Sequence, residues 1–189
     1  SVPLAPSLDH VGFFAADLDT ALDAARILMP DWTEPSTALR PPILGIPEGP
    51  YLNNVSQQGR AHFEAACAAL GRNYTIKPGP VMQDFPSIRE RNDVILSAEA
   101  AQVHQDCFGK YGDLYSERFS QLVRRGQAVT LSELKSAREA QGQFRARLIQ
   151  TMHEEQIDLW ISPAAPGPAP KGLDSTGDPV MNLPWTQAG

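Results

Sequence analysis

The 189-residue chain is poor in several features, and each shortage removes a class of function. It has two cysteines, Cys67 and Cys107, in no C-x-x-C spacing, so neither a disulfide framework nor a cysteine-rich zinc module can be built from it. Two buried free thiols in a reducing, cytoplasmic setting are the expectation, with a single disulfide as the alternative. The four histidines, His10, His62, His104 and His153, stand far apart with no H-x-x-x-H or H-E-x-x-H pairing, which argues against a metal centre. His62 and His104 read as helix-surface or partly buried residues. No Gly-Gly pair, G-x-G-x-x-G or G-x-x-x-x-G-K-[ST] occurs, so no phosphate-cradling loop can be placed, and no G-x-S-x-G elbow is present. Basic residues never form a run, the densest groups being Arg89/Arg91 and Arg124/Arg125, and the net charge is −6; nucleic acid is therefore a poor partner. No apolar run approaches the roughly 18 residues a membrane span needs. The opening SVPLAPSLDH lacks the basic and apolar regions of a signal peptide and reads as the interior of a longer protein.

Proline is unevenly supplied. The 17 prolines cluster in the first fifty positions and after Ser162, and none falls between Ser87 and Ser162. A helix-compatible middle between two punctuated ends follows. Hydrophobic residues at 42% and charged residues at 20% suit one globular domain with a core.

The periodicity predicts a helix over 17–29, through Leu18, Leu22, Ala25 and Met29, stopped by Pro30. Residues 32–42 read as a proline-rich connection. Ile43 to Ile46, closed by Pro47, reads as a buried strand; a helix follows from Asn54 through Phe63, Ala66, Cys67 and Leu70 to Gly71; Tyr74 to Lys77 gives a second strand before Pro78 and Gly79. Strand, helix and strand over roughly 35 residues make a βαβ unit of a parallel sheet. Further helices are expected over 87–108, over 116–125 with Gly126 ending it, and from Thr130, whose Glu133 completes a capping box. The last carries a stripe of Leu134, Ala137, Phe144, Leu148 and Met152, and leaves Arg138, Arg145, Glu154 and Glu155 to water. A strand over 158–162 ends at Pro163, and residues 163–189 read as a long loop of the kind that carries function.

Few residues stand out as chemistry. Ser132 and Lys135 have S-x-x-K spacing, but companion elements are missing and the first turn of a capped helix accounts for the serine. Asp174, Ser175, Thr176 and Asp178 could line a pocket, although their composition suits turns better.

Two segments change this weighing. Ser7-Leu8-Asp9-His10-Val11-Gly12, followed by a helix, resembles the S-L-D-x-x-G element of the amidase signature family. Asp158-Leu159-Trp160-Ile161-Ser162-Pro163-Ala164-Ala165-Pro166, then Thr176-Gly177-Asp178-Pro179 and Asn182-Leu183-Pro184-Trp185-Thr186-Gln187-Ala188-Gly189, resembles the family's C-terminal strand and substrate loop. The elements between, including the Glu99 region, follow the family's order, and the P-W-T-x-A-G ending is more similar to stand-alone amidases than to the tRNA-dependent amidotransferase subunit.

The resemblance implies an α/β protein, a three-layer α/β/α fold around a mixed sheet, present as a partial domain over 1–189. It implies hydrolysis of a carboxylic amide by a Ser-cisSer-Lys acyl-enzyme mechanism without metal or cofactor. The Gly-Ser-rich loop, the cis-Ser element and the catalytic Lys precede S-L-D-x-x-G in the family and are not among these residues, so no catalytic residue is assigned and the chain alone is expected to be inactive. It would contribute sheet, helical layer and one pocket wall, with Asp178, Asn182, Trp185 and Thr186 towards the substrate; Trp185 either supplies an apolar face or packs under the loop. Asp9 is expected to fix the turn ahead of the helix at Asp17. The expected partners are a small amide substrate and the N-terminal part of the same protein, with no membrane and with a homodimer compatible. The alternatives are a non-catalytic interaction subunit or degenerate amidase-fold binding module, and an unrelated α/β ligand-binding domain.

Overall fold

The computed structural model describes residues 3–34 and 40–189, in two units: Ser1–Asp9 with Pro41–Gly189, and His10–Arg40. In the smaller unit the Asp17 carboxylate accepts from the Thr20 N–H at 2.8 Å and starts helix α1, Leu18–Leu28, much as the spacing predicts. Arg26 pairs with Asp23 and Glu34, each at 2.7 Å. Of the connection expected over 32–42, residues 35–39 lie outside the described residues.

In the larger unit, strand β1 (Leu44–Pro47), helix α2 (Gln57–Leu70) and strand β2 (Ile76–Gly79) form the expected βαβ unit, with Leu44 opposite Ile76 and the strands parallel. Pro78 lies inside β2 rather than ending it, which an edge strand tolerates because one of its sides needs no N–H donors. Four helices follow: α3 (Phe85–Val103), α4 (Gln105–Tyr111), α5 (Glu117–Ala128) and α6 (Leu131–Glu155). The single helix expected over 87–108 is thus broken at His104. The Thr130–Glu133 capping box that opens α6 is present. Strand β3 (Leu159–Trp160) then pairs with β1 on the side away from β2, again parallel, giving the order β2-β1-β3. The described strands are all parallel, so the mixed character implied by the resemblance is not among them.

Trp160 explains two glycines in the strands. Its ring lies over Gly45 and Gly79; a Cβ on Gly45 would stand 2.7 Å from the ring, and one on Gly79 would overlap it. Ile46, on the opposite face of β1, looks towards α2. The main core lies on the Trp160 side, where Tyr51, Val81, Met82, Phe85, Ile88, Phe144 and Leu148 pack together. A second cluster joins Ala5 and Leu8 to Ile95, Ala98, Leu134 and Ala137 of α3 and α6.

Several local expectations are corrected. The 163–189 segment is not all loop, since it holds a 3-10 turn, Pro179–Met181, and helix α7, Leu183–Ala188. Pro184 is compatible with a first helical turn, and buried Val180, Met181, Pro184 and Gln187 anchor the segment by tertiary contact rather than by periodicity. Asp9 does act structurally, but on the turn behind it: its Oδ2 accepts from the N–H groups of Leu4 and Ala5 at 2.8 and 3.2 Å. Both cysteines are free, yet Cys67 is half-buried and Cys107 exposed, because neither α2 nor α4 buries any residue. Arg138 does not stand wholly in water; it reaches Glu99 at 2.8 Å. Among the described residues no helix is long and apolar enough to cross a membrane.

Gly126 is not a helix stop. It sits within α5 where that helix meets α3, and a Cβ there would overlap the Ser97 carbonyl oxygen. Helices this close tolerate no extra carbon, so Gly126→Ala is expected to cost about 1–3 kcal/mol. Chemical denaturation of the variant beside the parent chain checks this; equal stability would mean the helices are not in that contact.

Candidate functional site

In a parallel sheet the crevice for ligands lies beyond the carboxyl ends of the strands. Here β1 leaves through Glu48 and Gly49 into a 3-10 turn, Pro50–Asn54, while β3 leaves through Ile161 into the loop that begins at Ser162 and Pro163. Tyr51 is the joint between them. It is fully buried, its hydroxyl donates to the Met181 carbonyl at 2.8 Å, and the Trp185 indole Nε1 donates to it at 3.2 Å. Its ring meets Phe85 and Trp185 edge-on, with centroids 5.4 and 6.4 Å away. Burial pushes the phenol pKa up, only partly offset by hydrogen bonds from Ser162 and Trp185, so Tyr51 stays neutral and acts as a fixed dipole.

The four residues expected to face substrate lie on the 3-10 turn and α7. Asp178 is exposed and caps the 3-10 turn, its Oδ1 accepting from the Val180 N–H at 2.9 Å; nearby, the Ser175 hydroxyl accepts from Gly177 N–H at 3.1 Å. Asn182 is exposed, and its Nδ2 donates to the Ala164 carbonyl at 3.3 Å, tying α7 to the loop after β3. Trp185 is half-buried against the main core and bonded to Tyr51. Thr186 is half-buried, and its N–H closes onto the Asn182 carbonyl at 2.9 Å. Asn182 and Trp185 therefore join the crest at the strand ends, whereas the Asp178 carboxylate serves its own turn.

Two neighbouring cavities open beside this crest. One, of about 520 Å³, is lined by Gln58, His62, Phe63, Ser162, Ala164 and Gly167 among others. The other, of about 290 Å³, lies between β1 and α2, lined by Ile46, Leu52, Val55, Phe63, Cys67 and Pro163. Phe63 and Pro163 border both. The loop is held over the start of α2 by the Ser56 N–H, which donates to the Pro166 carbonyl at 2.7 Å. The second cavity is apolar, and burial, assisted by Glu64, pushes the Cys67 pKa up, which disfavours the thiolate there. Tyr51, Ser162, Phe63 and His62 carry no local signature of a site, since it is the parallel pairing of β1 with β3 that brings their segments together. Ser132 and Lys135 are both exposed on α6, and Lys135 faces Glu139 at 3.8 Å instead of the serine. Among the described residues no three His, Cys, Asp or Glu side chains cluster as metal ligands.

The fold has counterparts among solved structures. A crystal structure of an amidase superposes on 99% of the chain with a TM-score of 0.85 and 20% sequence identity. The fold is amidase-like. The chain spans 45% of that amidase's length. Two structures of a vestigial protein complex, described as revealing the evolutionary origins of an s-triazine catabolic enzyme, one of them inhibitor-bound, match 77% of the chain with a TM-score of 0.61 and 21% identity, over 33% of their own length. No family model matches the chain, and neither does any curated protein sequence.

Removing the Tyr51 hydroxyl would strand a buried carbonyl and an indole N–H at the crest. Tyr51→Phe is expected to cost about 1–3 kcal/mol and to alter the Trp185 emission. Denaturation followed by tryptophan fluorescence reads both effects; an unchanged midpoint would show that the joint holds nothing.

Proposed function

We propose that the chain is the central to C-terminal part of an amidase, a partial domain over 1–189. In this reading the parent hydrolyses the C–N bond of a carboxylic amide through a Ser-cisSer-Lys acyl-enzyme mechanism, whose nucleophile, base and oxyanion donors lie upstream. The observation that carries the reading is the superposition of 99% of the chain on 45% of an amidase. The crest formed by Tyr51, Ser162 and Trp185 supplies a rigid, neutral wall, and in this reading Asn182, Trp185 and Thr186, with Asp178 on the turn before them, are the residues assigned to the substrate. A neutral wall suits acyl transfer, because charge develops on the carbonyl oxygen during attack and is met there by donors placed elsewhere.

The upstream part of the same protein is the expected partner. Helix α2 bears on this: Phe63 and Cys67 of its apolar stripe line the cavity between it and β1, yet the helix buries no residue, so that side of the sheet is only loosely closed by the residues described. A second reading, a non-catalytic binding module of the amidase fold, draws on the likeness to members of a vestigial complex.

The assay is simple. The isolated chain incubated with an aryl amide should show no turnover above background. Turnover abolished by Ser132→Ala would overturn the reading and return the catalytic role to the S-x-x-K pair.

A further inference from the structure

We propose that Glu99 is an acid-released latch, holding the hook of residues 3–9 against the α3–α6 pair when ionised and freeing it when protonated. The proposal goes beyond the amidase reading and stands whether or not that reading is right.

Glu99 lies in α3 and is only 3% exposed. Its carboxylate accepts three hydrogen bonds from two distant segments: the Ser7 N–H at 2.9 Å, the Ser7 hydroxyl at 2.6 Å, and Arg138 Nη2 of α6 at 2.8 Å. The hook it grips is a preformed turn. The Leu8 and Asp9 N–H groups both reach the Ala5 carbonyl at 2.8 Å, and the Asp9 carboxylate closes the turn from the other side through Leu4 and Ala5. Ala5 and Leu8 are the hook's buried apolar side chains. One alanine and one leucine offset only part of the conformational entropy lost in ordering such a segment, so its retention falls on the carboxylate.

The chemistry of the site makes that grip depend on charge. An ionised carboxylate is acceptor-only and matches three donors; a protonated one places its own O–H among them, so one donor loses its acceptor. Burial opposes the charged form, but the bonds from Ser7 and Arg138 outweigh it and hold the Glu99 pKa below the usual carboxylate range. The charges around it are few. Arg138 faces it from α6; α5 meets this part of α3 at Gly126, which carries no charge; and in the hook the Asp9 Oδ2 is taken up by its own turn. Arg138 is half exposed, so it can return to water when Glu99 is neutralised. The sign follows from the depressed pKa: the latch is fully set above the ordinary carboxyl value and is lost as pH falls through the lower folded-state value.

Hydrogen exchange by mass spectrometry on the whole chain, corrected for the intrinsic pH dependence of exchange, tests this. Between about pH 6 and pH 3 the protection of residues 3–9 should fall by about tenfold or more while α6 stays protected. Glu99→Gln should give weak hook protection whose variation with pH is much smaller than in the parent chain. Arg138→Gln should move the release to higher pH, a shift that a purely structural role would not produce. Hook protection that is flat with pH in the parent chain, that is lost only together with α6, or that keeps its pH profile in Glu99→Gln would overturn the proposal. Should Glu99→Gln leave α6 itself unprotected, the parent profile and the Arg138→Gln shift decide the matter.

Discussion

The Tyr51 hydroxyl holds together parts of the chain that are 130 and 134 residues apart, and the crest at the strand ends depends on it. A buried phenol must have partners, because an unbonded hydroxyl in an apolar core costs more than the bond is worth in water. Here the partners come from Met181 and Trp185, in the part of the chain where regular structure is sparsest. The exit of β1, the loop after β3 and the short helix α7 are drawn onto one edge of the sheet as a result. Asn182 then reaches Ala164, and the two cavities acquire a firm wall.

That wall belongs to a layered arrangement with unequal sides. On one face of the sheet, Trp160 rests on Gly45 and Gly79 and leads into a core closed by α3, α6 and α7. On the other, α2 stands across an apolar cavity with none of its side chains buried. Parallel strands are ordinarily covered on both faces. The cavity on that side adjoins the loop after β3, since Phe63 and Pro163 border both cavities.

Features set by local chemistry were readable from the residues. The Thr130–Glu133 box, the helix near Asp17 and the βαβ unit each follow from neighbours in sequence, and each is present at or near its expected place. Features set by approach between distant segments were not. Gly126 looks like a helix stop until α3 is placed against it, and Pro78 looks like a strand end until β2 is known to lie at an edge. Helix α7 has too few residues for a periodic signal. The same limit applied to the candidate site: Asn182 and Trp185 could be singled out from the N-L-P-W-T-Q-A-G segment as candidates, but Tyr51 and Ser162 gain meaning only through the pairing of β1 with β3.

The central claim is that this amidase-like unit works with chain that precedes it. Reading the coding DNA upstream of Ser1 tests that most directly. The account predicts an uninterrupted frame that encodes a Gly-Ser-rich stretch and a lysine-bearing segment before it. A frame that closes immediately upstream, or one that continues without that stretch, would contradict it.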